Sequence, residues 1–222
     1  MEQIAIIVAG GSGKRMNSEI PKQFLLLNGD PVLMRTIRVF HNYNPEMKLI
    51  IALPEEHIRY WEKLCKKHTF EISHQLVHGG ETRHDTVKNA MAKIKPGSLV
   101  AIHDGVRPLV TIPLIRACFD TAAVLGNAIP VVELSESIRQ LEGEKNISAD
   151  RSMFRLVQTP QVFQSEQLID AFSQNEKTGF TDEASLVESA GHRIHLVRGL
   201  PENIKITTAL DMCIASSFLE NC

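Results

Sequence analysis

Four short polar sets in this chain carry the residue types that chemistry on phosphates needs. The first is Ala-Gly-Gly-Ser-Gly-Lys-Arg-Met, residues 9 to 16. Gly10, Gly11 and Gly13 let the backbone approach a ligand and aim N–H groups at an anion, and Lys14 and Arg15 add charge. This is no Walker loop, because Lys14 is followed by Arg15 and the glycine spacing differs. Nor is it the dinucleotide fingerprint, because Met16 stands at the third glycine's place. The plain alternative is a tight turn. The second set is Pro21-Lys22-Gln23, in which Lys22 follows Arg15 by seven residues. Such a loop can fold back so that both cations flank one phosphate; otherwise they are two solvated surface charges. The third is Gly-Gly-Glu-Thr-Arg-His-Asp-Thr, residues 79 to 86. Its glycines offer a close backbone edge suited to the rim of a flat base, whereas Thr82 and its neighbours read equally well as a helix start. The fourth is His-Asp-Gly-Val-Arg-Pro, residues 103 to 108. Asp104 there can face a metal or a ligand hydroxyl, since Mg²⁺ takes one or two carboxylates plus substrate phosphates. Its commoner use is as a turn or capping residue. His103 reads as a partly buried loop histidine, with no second His or Cys at ligand spacing.

These sets need a scaffold, and the hydrophobic pattern supplies one. Ile4 to Val8 is a short apolar run ending in glycines, as in a strand buried on both faces. A helix follows Pro31, with Val32, Leu33, Ile37 and Phe40 at helical spacing. Leu49 to Leu53, Ile72 to Val77, Leu99 to Ile102 and Ala128 to Val132 read as strands. Glu55 to His68, Thr82 to Ile94 and Ile112 to Leu125 read as the helices between them. The alternation argues for an α/β fold with a mostly parallel sheet and helices on both faces. The four polar sets then fall at strand ends, where such folds bind ligands.

The rhythm breaks between about residues 133 and 158. Mixed charges, short apolar alternations and Glu-Gly-Glu-Lys-Asn suggest a protruding hairpin. An isolated hairpin is marginal in water, so it needs a surface to pack on, and a second subunit is the economical candidate. Helix or strand patterns resume at 167–172, 182–190, 194–197 and 209–219. No linker or repeat divides the chain. The expectation is one domain spanning residues 1–222 with an arm at about 133–158.

Composition bounds the function. The 222 residues are 43% hydrophobic and 23% charged, ordinary globular values. Lys plus Arg is 24 and Asp plus Glu 26, so the net charge is −2. Such a chain has no broad field for gripping nucleic acid or an anionic membrane, so any polyanion site must be local. Of the four cysteines, Cys65, Cys118 and Cys213 read as buried small side chains and Cys222 as a tail thiol. The first apolar run is too short for a signal-peptide core, and no segment reaches the roughly 20 apolar residues of a membrane span. A soluble, cytoplasmic protein is expected.

In this order, the loop at 9–16, Pro-Lys-Gln, the 79–86 set, the 103–108 set, Asp-Arg-Ser at 150–152, Thr-Pro-Gln at 159–161, Thr-Asp-Glu-Ala-Ser at 181–185 and Asn-Ile-Lys-Ile-Thr at 203–207 resemble the 2-C-methyl-D-erythritol 4-phosphate cytidylyltransferase family. The resemblance runs from about Ile4 to Leu219. It implies a Rossmann-like nucleotidyltransferase fold and a homodimer joined through the arm. It also implies CTP and a polyol phosphate as small-molecule substrates, Mg²⁺ as cofactor, and a role in non-mevalonate isoprenoid precursor synthesis. By the resemblance, Ala9, Gly10, Gly11, Gly13, Arg15 and Lys22 hold the triphosphate, and Gly79, Gly80, Glu81 and Thr86 form the cytosine and ribose edge. Asp104, Gly105 and Arg107 face substrate and metal. Thr159 contacts substrate, and Lys205 is a second catalytic cation. Arg151 and Thr181 match residues that a partner subunit lends to the methylerythritol phosphate. The family often has an Asp-Thr-x-Lys stretch after the fifth strand; here Glu136-Ser137-Ile138-Arg139 is the nearest match, and Ser137 can replace the threonine hydroxyl.

The chemistry agrees. A phosphate monoester is already an anion at neutral pH and needs no general base, which fits the lack of a Ser-His-Asp or Cys-His constellation. The reaction needs relief of charge repulsion, which cations provide. Arg15 and Lys22 are expected to stabilise the α-phosphate transition state, with Asp104 placing Mg²⁺. The closest rival is a cytidylyltransferase for another polyol phosphate such as ribitol 5-phosphate. A non-catalytic nucleotide-binding regulator has no need of Arg15, Lys22 and Lys205 together, and a dehydrogenase lacks its third glycine.

Overall fold

A computed structural model describes residues 1–10, 20–174 and 179–220. The strands are β1 (Glu2–Val8), β2 (Leu26–Leu27), β3 (Asp30–Pro31), β4 (Lys48–Leu53), β5 (Gln75–His78), β6 (Ser98–Asp104), β7 (Asn127–Glu133), β8 (Ile138–Glu142), β9 (Lys145–Ala149), β10 (Arg155–Val157), β11 (Gln161–Gln164) and β12 (Leu196–Arg198). The helices are α1 (Val32–Tyr43), α2 (Glu55–Lys67), α3 (Arg83–Met91), α4 (Ile112–Leu125), α5 (Ser165–Gln174), α6 (Glu183–Ser189) and α7 (Ala209–Glu220).

The main sheet runs β10-β7-β11-β6-β1-β4-β5, with β12 added beside β7. From β1 the chain winds outward through β4 and β5, all parallel, and then returns to place β6 parallel on β1's other side. The order therefore reverses between β1 and β6, the switch point of a doubly wound sheet. Strand side chains alternate between two cores. Ala5, Ile7, Leu49, Ile51, Leu99 and Ala101 face α1, α2 and α4. Ile4, Ile6, Ile50, Val100 and Ile102 face α3, α5 and α6. This is the α/β fold expected from the alternation.

Three local readings differ. β11 was not anticipated, and it lies antiparallel between β6 and β7. Its Gln-Val-Phe-Gln is too short to show a period, and its first glutamine is fully buried by bonding rather than by hydrophobicity: Gln161 Nε2 donates to Asp182 Oδ2 at 2.8 Å and its Oε1 accepts from the Ala184 N–H at 3.0 Å. β5 begins three residues later than the apolar run from Ile72, because His74 turns its Nδ1–H to the Ile72 carbonyl and its Nε2 to Trp61. Cys213 is exposed on α7, whereas Cys118 is buried and Cys65 intermediate; Cys222 lies outside the described residues.

β7 runs out of the sheet into the arm. Glu133 pairs with Arg155 of β10, so the excursion spans the residues between them. At its tip β8 and β9 form a separate two-stranded hairpin, paired from Ile138↔Ala149 to Glu142↔Lys145. Gly143 takes φ +63 in the two-residue turn, which suits glycine in a tight hairpin. Behind the arm, Asn127 staples three elements: its Nδ2 donates to Gln167 Oε1 and the Arg193 carbonyl, both at 2.9 Å, and its Oδ1 accepts from the His195 N–H at 2.9 Å. Asn127→Leu is expected to cost about 1–3 kcal/mol, the penalty for orphaned buried groups. Urea unfolding should show a lower midpoint at unchanged slope; an unchanged midpoint would mean the staple carries no net stability.

Candidate active site

The end of β6 brings Asp104 level with Val8, the last residue of β1. The next peptide turns tightly: the Gly105 N–H donates to the Val8 carbonyl at 2.8 Å. A Cβ at Gly105 would come within 3.0 Å of Leu33 and 3.1 Å of the Ala9 Cβ, so the close approach requires glycine. Gly105 therefore serves this turn and lines neither cleft described below.

Three cations converge on the Asp104 carboxylate. Lys205 Nζ lies 3.0 Å and Arg107 Nε 3.2 Å from Oδ2, and Arg83 Nε lies 3.7 Å from Oδ1. Burial opposes the charge, yet Lys205, Arg83 and Arg107 hold this carboxyl far below the usual carboxylate range. Arg107 is pinned in turn by its Nη1 bond of 2.7 Å to the Asn203 carbonyl, and Asn203 Nδ2 donates to the Thr159 carbonyl at 2.9 Å. Arg83 Nη1 makes a 2.6 Å ion pair with buried Glu183, the first residue of α6. Burial pushes the Glu183 carboxyl up, against the pull of Arg83.

Below the carboxylate stands a buried polar relay. His103 is fully buried within β6, not in a loop as its neighbours suggested. Its Nε2 is 3.2 Å from the Arg107 carbonyl, so this nitrogen carries the proton. Its Nδ1 then accepts from the Thr159 hydroxyl at 3.0 Å, and that hydroxyl accepts from the Asp104 N–H at 3.1 Å. Burial pushes the His103 imidazole down to about 3.

Two clefts meet at the cluster. One, of about 270 Å³, is lined by Gly10, Lys22, Gly80, Glu81 and Thr86 together with Arg83, Asp104 and Lys205. The other, of about 370 Å³, is lined by Arg107, Gln158, Thr159, Gln161, Thr181 and Asp182, again with Arg83, Asp104 and Lys205. Lys22 reaches the first cleft because Gln23 Nε2 binds the Ala9 carbonyl at 2.9 Å, tying the Lys22–Phe24 turn to the end of β1. At its rim Thr82 caps α3 in a capping box with Asp85. The Thr86 hydroxyl accepts from the Gly80 N–H at 3.0 Å and donates to the Thr82 carbonyl at 2.9 Å, which sets the shape of the glycine edge.

Ten of the sequence-derived site residues line these two clefts. Gly10, Lys22, Gly80, Glu81 and Thr86 share one cleft, and Arg107, Thr159 and Thr181 the other. Ala9 and Gly79 are backbone neighbours that do not line it, and Gly11, Gly13 and Arg15 lie outside the described residues. Thr181, expected to serve a partner's site, lines this chain's own cleft. Ser137 and Arg151 sit exposed on the arm and line neither cleft. Arg83 and Glu183 were not singled out, since each opens a helix and reads as an ordinary helix-start residue.

For a metal, Asp104 Oδ1 has the looser ion pairing of the two oxygens. Among the described residues no group of three His, Cys, Asp or Glu side chains could hold an ion by themselves. The donor set fits a cation that takes one protein oxygen and draws its remaining ligands from substrate phosphates.

A glycine-edged cleft bearing Lys22 and a second polar cleft, joined by Arg83 and Lys205 at the switch point of a doubly wound sheet, define a nucleotidyltransferase. The family model for 2-C-methyl-D-erythritol 4-phosphate cytidylyltransferase matches residues 3–221. Proteins of that name from Bacteroides thetaiotaomicron and Bacteroides fragilis are each 46% identical over 99% of this chain and 100% of their own. The crystal structure of the Thermus thermophilus protein of that name has a TM-score of 0.82 at 28% identity, covering 99% of this chain and all of that one. That from Francisella tularensis has a TM-score of 0.81 at 30% identity, covering 98% and 99%. The chain belongs to the 2-C-methyl-D-erythritol 4-phosphate cytidylyltransferase family.

Asp104→Asn removes the shared counter-ion of three cations. The melting point is expected to fall by several degrees, since breaking a buried pair costs roughly 3–5 kcal/mol and the half-exposed Lys205 reduces that figure. Added inorganic pyrophosphate should restore more of the loss than it adds to the parent chain. No shift in the thermal melt of either chain would show that the cluster does not attract anions.

Proposed function

We infer that this chain transfers CMP from CTP to 2-C-methyl-D-erythritol 4-phosphate, giving 4-diphosphocytidyl-2-C-methyl-D-erythritol and pyrophosphate in non-mevalonate isoprenoid precursor synthesis. The observation that carries it is the sharing of Arg83, Asp104 and Lys205 by two clefts. A cytidylyl group must pass from one substrate to the other, so the two have to meet at a common wall of positive charge.

The cleft bearing Gly10, Lys22, Gly80 and Thr86 takes CTP, with Gly11, Gly13 and Arg15 completing the triphosphate loop. The glycine edge at Gly79, Gly80 and Glu81 reads the base and ribose. The cleft bearing Arg107, Thr159 and Thr181 takes the polyol phosphate. An oxygen of that phosphate attacks the α-phosphorus, a new P–O bond forms, the bond to the β-phosphate oxygen breaks, and pyrophosphate leaves with the electron pair. No proton needs to move, because the attacking oxygen is already anionic. Lys22 and Arg15 stabilise the charge that builds on the α-phosphate and the departing pyrophosphate, and Lys205 orients the attacking phosphate. Mg²⁺, with Asp104 as its protein ligand, supplies further charge neutralisation when bound. A reaction that consumes CTP suits the cytoplasm, and among the described residues no helix is long and apolar enough to cross a membrane.

The functional unit is a homodimer formed by one domain whose arm reaches a second copy. The arm exposes Leu141 at 77% and Met153 at 79%, with Ile147, Phe154 and Leu156 also exposed, an apolar surface that a monomer leaves wet. Arg151 and Ser137 of the arm then complete the polyol cleft of the partner.

Pyrophosphate release with CTP and Mg²⁺ tests the reaction. Release is expected with methylerythritol phosphate and not with ribitol 5-phosphate; the reverse would reassign the acceptor, and no release with either would end the enzyme reading. Lys22→Ala should lower turnover on the order of 10²–10³. The arm is tested by mixing Lys22→Ala and Arg151→Ala chains, each inactive alone. If the arm works in trans, the mixture regains activity, because a hybrid dimer contains one site with both residues intact. A mixture as inactive as its components would place Arg151 in its own chain's site.

A further inference from the structure

Arg83 is placed against its local electrostatics. It is the first residue of α3, where the helix dipole disfavours a cation. An arginine with only a helix-start role would extend into solvent. This side chain is 26% exposed and turns inward between Asp104 and Glu183. It also borders both clefts.

Glu183 is equally poor as a stabilising device. It is 3% exposed, and among the described residues only Oε1 is bonded, to Arg83, while Oε2 is buried with no hydrogen-bond partner. Buried carboxylates kept for stability satisfy both oxygens, and buried ion pairs are weak contributors in any case. What this pair achieves is positional. The guanidinium is planar and its donors are fixed in a fork. With Nη1 held by Glu183 and Nε directed at Asp104, the location of the remaining Nη2 donors is set at the junction of the clefts.

We propose that Arg83 is a further catalytic residue of the proposed cytidylyl transfer, binding the phosphate that passes between the clefts, and that Glu183 is the positioning residue that holds it there. The inference rests on that reaction. Because Glu183 opens α6 and Arg83 opens α3, the pair also ties the acceptor cleft to the nucleotide cleft across a hundred residues of sequence.

The test compares the parent chain with Arg83→Ala, Glu183→Gln, the double variant and Arg83→Lys, using pyrophosphate release with CTP, methylerythritol phosphate and Mg²⁺. If the parent chain releases none, the reaction itself is wrong and this assignment falls with it. If the parent turns over, the variants decide. Arg83→Ala alone should melt lower, because it strands a buried carboxylate, and adding Glu183→Gln should restore the melting point without restoring turnover. The double variant is expected to lose on the order of 10²–10³ in kcat. Both KM values should stay within about threefold, the pattern of an interaction made in the transition state. Glu183→Gln should lower kcat in the parent but not further in the Arg83→Ala background. Arg83→Lys keeps the charge and should still lose about tenfold or more, since an ammonium cannot span Glu183 and Asp104 together. Near-parental kcat in the double variant would overturn the proposal. So would a loss confined to KM, or a Glu183→Gln penalty of equal size with and without Arg83.

Discussion

The Asp104 carboxylate is the point on which the site depends. A carboxylate that is 6% exposed is costly to ionise unless cations accompany it, and here three do, at 3.0, 3.2 and 3.7 Å. Each cation comes from a different part of the chain: Arg83 from the start of α3, Arg107 from the turn after β6, and Lys205 from the segment before α7. One buried charge thus fixes the mutual positions of three separate segments. With Glu183 counted, the ion pairs of the cluster join three cations to two carboxylates, and Asp182 also faces Arg83. Such a cluster is organised before any ligand arrives, and its Arg83 and Lys205 border both clefts. That is the arrangement electrostatic catalysis requires, because donors already in place cost no reorganisation in the transition state.

This concentration explains a feature that composition alone left ambiguous. A net charge of −2 describes a chain with no broad attraction for polyanions. The positive charge is local, and it works because the site is small and shielded. The same guanidinium or ammonium groups spread over an exposed face would be screened by salt within about 10 Å.

Much of this was legible in the sequence, for identifiable reasons. Strands buried on both faces give continuous apolar runs, and helices between them give a 3.6-residue period, so β1, β4, β6, α1, α2 and α4 announce themselves. Glycines that follow such runs mark strand ends, and strand ends are where this fold binds ligands. Legibility failed where a residue's role depends on a distant partner. β11 is held in the sheet centre by Gln161, whose polarity hides its burial. Arg83 and Glu183 are a hundred positions apart, and nothing local in either helix start reveals the other. The arm was readable as an interruption of rhythm, whereas Thr181, matched by resemblance to a partner's site, lines a cleft of its own chain.

The buried relay beneath Asp104 shows why the histidine of this site is not a general base. A base must be able to take a proton near neutral pH. His103 cannot: burial pushes its imidazole down to about 3. Both ring nitrogens are also engaged, Nε2 donating to the Arg107 carbonyl and Nδ1 accepting from Thr159. Protonating Nδ1 would turn it into a second donor facing a hydroxyl that could no longer donate to it. That hydroxyl would have to rotate, while still receiving the Asp104 N–H. The imidazole is therefore a neutral strut that locks the backbone at Asp104 and joins β6 to the Thr159 turn. A phosphate nucleophile asks nothing more of it. Its oxygen is already ionised, so the requirement passes from proton transfer to the precise placing of cations, and a rigid, uncharged support beneath the shared carboxylate meets that requirement better than a titrating one.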